Sequence, residues 1–401
     1  MMHSGSFICK YHTLLGLHNG RACYFWNVNK SEFYTTKMKK LEIINNKPNP
    51  SVMGAKNVFR IFLLLSVAVI FSLASCVKEG PMGLAGIDGV DGTNGKDGKD
   101  GASGTASCIA CHNLTTKNTV NAQLVASSHG VMPNKQVGAN CVACHSHEGF
   151  IESLTNVKTK TFTALTSASG LNCASCHTSH KTFDFDKDGQ DFALRTTAAV
   201  PMFMNTNIVI DMGTSNICVN CHQPRAVAPV ANADGNFTVA NFRYGPHYGV
   251  QSVVNEGVWG YHHPQGTTAI PAAGSHPHRK NASCTTCHMH DSTNPAQGGH
   301  SWSVGANACN SCHSTINSIA AIEASQAEYY TLFNQLGAKL LEAGALETTS
   351  TGSLQPKAGT FPIAVAGALF NYRLLYGDHS GGLHNPTYAK ALIKNSIEAL
   401  N

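Results

Sequence analysis

Charge is scarce in this chain: Asp, Glu, Lys and Arg make up 13% of its 401 residues, and tryptophan occurs only 3 times. The large aliphatics are thin for such a length, so a conventional apolar core of two or three domains is not expected. The apolar run Ile61 to Leu73 is 13 residues long, short of the ~20 that a membrane-spanning helix needs. Even the net charge of +5 is local, because the first 75 residues hold 9 Lys/Arg against 2 Asp/Glu. The remainder carries 19 basic and 21 acidic residues, a formal charge of −2. That balance excludes a nucleic-acid binder. What the chain has instead is 21 histidines and 15 cysteines. A fold poor in large aliphatics and rich in metal-ligand residues takes its core from a bound group.

Residues 1–75 read as a non-mature leader, with the signal peptide at about 53–75. Lys56 and Arg60 precede the apolar run, and Leu-Ala-Ser-Cys follows it. A basic flank, a short apolar core and small residues describe a signal peptide. The ending resembles a bacterial lipobox, which makes Cys76 the lipidated mature N-terminus and membrane anchor. Met53 gives a leader of ordinary length, so the residues before it read as upstream sequence. Val77 after Cys76 favours the outer membrane, facing either the periplasm or the cell surface.

Residues 76–106 form a tether. Glycine occupies every third position from Gly80 to Gly104, nine in succession, the period of a collagen triple helix. Pro81 is the only proline there, so a triple helix would be weak and a hydrophilic spacer is the simpler reading. Extended at about 3 Å per residue, it reaches on the order of 75 Å.

From residue 107 one motif recurs six times: Cys108-x-x-Cys111-His112, Cys141-x-x-Cys144-His145, Cys173-x-x-Cys176-His177, Cys218-x-x-Cys221-His222, Cys284-x-x-Cys287-His288 and Cys309-x-x-Cys312-His313. Cys-x-x-Cys-His is the attachment site of c-type haem. The two thiols form thioethers to the porphyrin, and the histidine beside them becomes the proximal iron ligand. A spacing of three sets both sulfurs on one side of a helical turn. Zinc also takes Cys-x-x-Cys pairs with histidine nearby, but does not require histidine immediately after the second cysteine. Six such coincidences by chance have a probability on the order of 10⁻⁸. Disulfides of an exported protein fail on the same point. Residues 107–313 therefore read as a hexahaem region, and residues 314–401 as a helical segment completing it.

Distal ligands decide whether an iron only passes electrons or can also bind a substrate. Beyond the six motif histidines, twelve more follow Cys76, enough for a second histidine on every iron. His129 lies 12 residues before Cys141, His276 lies 8 before Cys284, and His300 lies 9 before Cys309. A histidine just upstream of one site can turn toward a neighbouring haem. His180, three residues after His177, can do the same. His147, His278 and His290 are set aside as solvated or hydrogen-bonding residues. Met132, Met202, Met204, Met212 and Met289 show no pattern of ligation.

Residues 107–401 resemble the extracellular multihaem c-type cytochromes of metal-reducing bacteria, a group with filament-forming members. The resemblance rests on "CASCHTSH", "ICVNCHQPR", "RYGPHYGVQSVVNEGVWGY", "SHPHRKNASCTTCHM", "GGHSW" and "LFNYRLLYGDHSGGLHNPTYAKALIKNSIEAL". It implies distal ligands at His180, His247, His276, His300 and His384, which with His129 make six. His379 stands where the family has a small residue and competes with His384. It further implies electron transport along stacked haems, sometimes in homopolymers where one subunit supplies a ligand to the next.

Asp184, Asp186, Asp188 and Gly189 match the first half of a calcium loop, but Arg195 stands where the loop's closing glutamate belongs. A solvated turn is the alternative. The segment Ile316 to Leu341 has apolar residues at helical spacing with Gly344 as a stop, and Ala364–Leu375 and Tyr388–Leu400 read as two more helices. The expected fold is mainly irregular with short α-helices, haems for a core, a C-terminal helical cap and little β structure. The expected role is an electron carrier, with redox proteins or an extracellular acceptor as partners. The alternative is a multihaem reductase of nitrite, hydroxylamine or a sulfur oxyanion with one open haem. The Cys-x-x-Cys-Lys motif of ammonia-forming nitrite reductases is absent.

Overall fold

A computed structural model describes residues 105–130, 135–155 and 162–401. The leader, Cys76, the glycine-repeat tether and Met132 lie outside the described residues.

The haem motifs sit on short helical turns, and local chemistry explains where the turns start. Asn172 caps the Cys173–Cys176 turn, accepting from the Ala174 N–H while Ser175 accepts from the Asn172 N–H. Ser283 and Thr286 form the same reciprocal box on the Cys284–His288 turn. Such caps satisfy the free N–H groups of a helix start. The first motif ends the Thr105–His112 helix, and Asn113 then caps the Leu114–Ala126 helix through the Thr116 N–H.

Among the described residues strands are few and short, in four two-stranded antiparallel pairs. Lys135–Val137 pairs with Leu165–Ala168, Val200–Met202 with Asn205–Ile210, Asn236–Val239 with Gly359–Pro362, and Leu346–Thr348 with Leu354–Pro356. The third pair joins the motif region to the C-terminal segment.

Apolar packing is uneven. A small cluster of Val137, Val142, Ala143, Phe162, Ala168 and Phe203 lies beside the second motif. The larger core gathers around three C-terminal helices, Ala327–Glu342, Ile363–Asp378 and Pro386–Glu398. Leu336, Leu340, Leu369, Leu374, Tyr388, Leu392 and Ile393 are fully buried there. Asn371 lies within this core, accepting from the Tyr261 N–H and donating to Tyr261 O and Ser396 Oγ at 2.7–3.0 Å. It fastens the Tyr261 loop to two helices at once.

The helix expected over residues 316–341 is broken into Ile319–Ser325 and Ala327–Glu342. The break falls at Gln326, whose side-chain amide turns to Ser380 O at 2.8 Å. That bond ties the joint to the loop after the Ile363–Asp378 helix. His379 ends that helix in the left-handed region, at φ 57°, a position where glycine or asparagine is usual. Asn385 and Pro386 open the last helix as cap and first residue.

Candidate haem centres

Each motif histidine faces a second histidine ring. Between ring centroids, His112 lies 6.0 Å from His180, His145 6.2 Å from His247, and His177 6.1 Å from His300. His222 lies 6.2 Å from His129, His288 6.3 Å from His384, and His313 5.8 Å from His278. A metal between two imidazole nitrogens needs bonds of about 2 Å, and each ring centre lies about 1.1 Å further on, which sets the centroids roughly 6.2 Å apart. All six separations fit that arrangement, and each includes the histidine whose neighbouring thiols would anchor a haem.

The proton positions agree. Nδ1 of His177 donates to Phe192 O, and Nδ1 of His288 donates to Trp302 O. Nδ1 of His278 donates to Leu383 O, and Nδ1 of His222 meets Gln251 Oε1 at 2.9 Å. The Gln251 amide nitrogen already donates to Tyr248 O and Gly377 O, so its oxygen is the acceptor. Asp378 Oδ1 accepts from His384 Nδ1 at 2.6 Å. A carbonyl or carboxylate on Nδ1 leaves Nε2 with the lone pair an iron needs, and fixes the ring's orientation. Burial also lowers the pKa of His222, His247, His288 and His300, and brings His129 down to about 4. Neutral imidazole is the ligating form. At His384 burial acts in the same direction, but Asp378 outweighs it and the net shift is upward.

One expected residue does not stand opposite a motif ring. His276 caps the Pro277–Asn281 helix, and its Nδ1 accepts from the His278 N–H at 3.2 Å. An accepting Nδ1 puts the proton on Nε2, the wrong tautomer for a metal there. The ring that reaches His313 is His278, which sequence spacing had set aside. His129 faces the fourth motif rather than the second, which follows it in sequence. His379 stacks on Tyr248 at 5.9 Å, while His384 faces His288. His147 hydrogen-bonds Ser175, and His290 donates to Cys287 O.

None of the twelve motif cysteines is in a disulfide. Cys144 lies beside Cys221, where Cys221 Sγ is 3.9 Å from Ala143 O, so the second motif borders the fourth. Cys218 lies beside Cys284, and the Thr285 N–H donates to Ser215 Oγ at 3.2 Å, so the fourth borders the fifth. Cys176 lies near Cys218 and Cys221, as Cys287 lies near Cys309 and Cys312. His180 extends the third motif's loop to His112 of the first.

Trp302 meets three of these sites. Its ring lies 4.5 Å from His129 and 5.5 Å from His300, both edge-on, and its carbonyl holds His288. The residue sits at φ 52°, an uncommon conformation for a bulky side chain. Trp302, Asp378 and Gln251 escaped sequence reasoning, although they lie inside the "GGHSW", "GDHSGGLHNP" and "RYGPHYGVQSVVNEGVWGY" stretches.

The three aspartates of the calcium-like loop are not gathered. Asp184 caps the Phe185–Asp188 turn through the Lys187 N–H, and Asp188 accepts from Thr182 Oγ1. Among the described residues no three His, Cys, Asp or Glu side chains converge on a common point.

No family model matches the chain. It is 26% identical over 282 residues to the C-type polyheme cytochrome OmcC of Geobacter sulfurreducens, covering 57% of this chain and 36% of the relative. To the C-type polyheme cytochrome OmcB of the same species it is 25% identical over 288 residues, covering 57% and 37%. The chain thus spans little more than a third of the length of these curated relatives. Among solved structures it is similar to the outer cell wall cytochrome OcwA, with 19% identity and a TM-score of 0.41 over 70% of this chain and 50% of that one. In its sequence relatives, the chain is similar to c-type polyheme cytochromes, in keeping with its six Cys-x-x-Cys-His motifs.

Proposed function

We propose that the chain is an exported c-type cytochrome with six haems that carries electrons between redox partners, ending at an extracellular acceptor. One observation carries the reading: every motif histidine faces a second histidine of the same chain at a separation that suits a ligated iron. Bound haem supplies one-electron iron chemistry, at potentials set by ligands, hydrogen bonds and burial. The protein's share is to anchor each group through two cysteines and to clamp it between two oriented imidazoles. It also brings the motifs close together. The His112–His180 pair and the nearness of cysteines in neighbouring motifs support a route through motifs one, three, four, five and six, with the second beside the fourth.

Two imidazoles per motif weigh against an open iron, and with it the reductase reading. They also complete each site within one chain, so a homopolymer would form through surface contacts rather than a shared ligand. Lipidation at Cys76 would hold the protein at the outer membrane, with the glycine tether lifting the haem region from the lipid. Among the described residues no helix is long and apolar enough to cross a membrane.

The test is the purified holoprotein. Its mass should show six covalent haems, and its ferric EPR spectrum should be wholly low-spin. A high-spin haem that binds nitrite or cyanide would sink the carrier reading.

A further inference from the structure

Arg225 follows the fourth motif by three residues, in Cys221-His222-Gln223-Pro224-Arg225, yet its contacts belong to the second site. Its backbone N–H donates to Pro246 O at 2.8 Å, one residue before His247. Its Nη2 donates to Asn140 O at 2.6 Å, one residue before Cys141. The guanidinium carbon stands 4.9 Å from the centre of the Phe203 ring, in the apolar cluster beside that motif. Arg225 thus grips both sides of one centre: the segment with the anchoring thiols and the segment with the facing histidine.

The other terminal nitrogen, Nη1, is buried and has no hydrogen-bond partner. A buried guanidinium N–H without an acceptor is costly. The acceptor that best meets a guanidinium is a carboxylate. A haem carries two, as propionates, and the second motif is where Nη1 lies. We propose that Arg225 Nη1 donates to a propionate of the haem anchored at Cys141 and Cys144, neutralising it and holding that haem's potential up. This rests on the haem reading above. Without the arginine the propionate's charge is left unbalanced near the iron, which favours the ferric state.

The test compares wild type, Arg225→Gln and Arg225→Lys as six-haem holoproteins by spectroelectrochemical titration, with mass spectrometry to count haems. The expected result is that R225Q lowers one of six midpoints, by about a tenfold change in that haem's reduction equilibrium, or about 59 mV for one electron. R225K should restore most of the loss, because it keeps the charge. Six unchanged midpoints in fully loaded R225Q would overturn the proposal while leaving the haem reading intact. If R225Q loads only five haems, R225K must load the sixth, and its failure to do so also overturns the proposal. A wild-type protein with no covalent haem would instead remove the haem reading itself.

Discussion

The carboxylate of Asp378, 2% exposed, accepts a hydrogen bond from Nδ1 of His384 at 2.6 Å, and Ser380 Oγ donates to its other oxygen. A buried anion behind a ligand makes the imidazole a stronger donor to ferric iron. Replacing Asp378 with Asn keeps an acceptor but removes the charge. We expect D378N to stay low-spin and to raise one midpoint of six, by on the order of tenfold in its reduction equilibrium. D378A removes the acceptor as well, and a cyanide-binding high-spin haem should appear in its EPR spectrum.

His276 and His278 separate cleanly. H278A should convert one haem to high-spin, because it removes the ring that faces His313. H276A should leave all six low-spin and lower stability by about 1 kcal/mol, the usual cost of a helix cap. The reverse outcome would assign the ligand to His276.

Trp302 touches the rings of His129 and His300. Its truncation to Ala should free the planes of those two ligands and move the low-spin g-values of two of the six haems. W302F should move them less. Equal changes at all six haems would point to general loosening instead.

Leu392 is fully buried among the C-terminal helices. L392A should cost about 2–5 kcal/mol, the range for large-to-small changes in a core. Thermal unfolding of the loaded protein reads this directly, and the haem count should not change.

Thr267 donates its N–H and its hydroxyl to the Glu398 carboxylate, each at 2.7 Å. These bonds hold the Glu398 pKa below its usual value. A carboxylate depressed on folding contributes stability above its unfolded pKa of about 4.3, lost as pH falls through the folded value. E398Q should therefore be less stable at neutral pH and show a shallower loss in acid, as followed by circular dichroism.

The motifs were legible because thioether anchoring demands a local spacing, and local spacing is what a sequence displays. Partnership was not. Which ring meets which motif depends on how distant loops close, so His247 and His300 had to be placed by the fold. The spacing that singled out His276 was real, but Pro277 carried a competing signal. A proline at the first helical position makes the preceding residue a cap, and a capping ring turns back over its own helix. The break at Gln326 was hidden for a similar reason. Apolar residues run at helical spacing through it, and the bond to Ser380 that bends the chain comes from 54 positions away.

The histidine pairs interleave along the chain, and this sets a timetable. As the polypeptide emerges N-terminus first, a centre can close only when the later of its two rings has appeared. His180 closes the first site, and His222 then closes the fourth with His129 already out. His247 and His300 follow for the second and third, His313 for the sixth, and His384 last for the fifth. The fifth motif, whose Cys284 lies beside Cys218 of the fourth, waits longest of the six. Truncations from the C-terminus should therefore silence that centre first, while the early sites still mature.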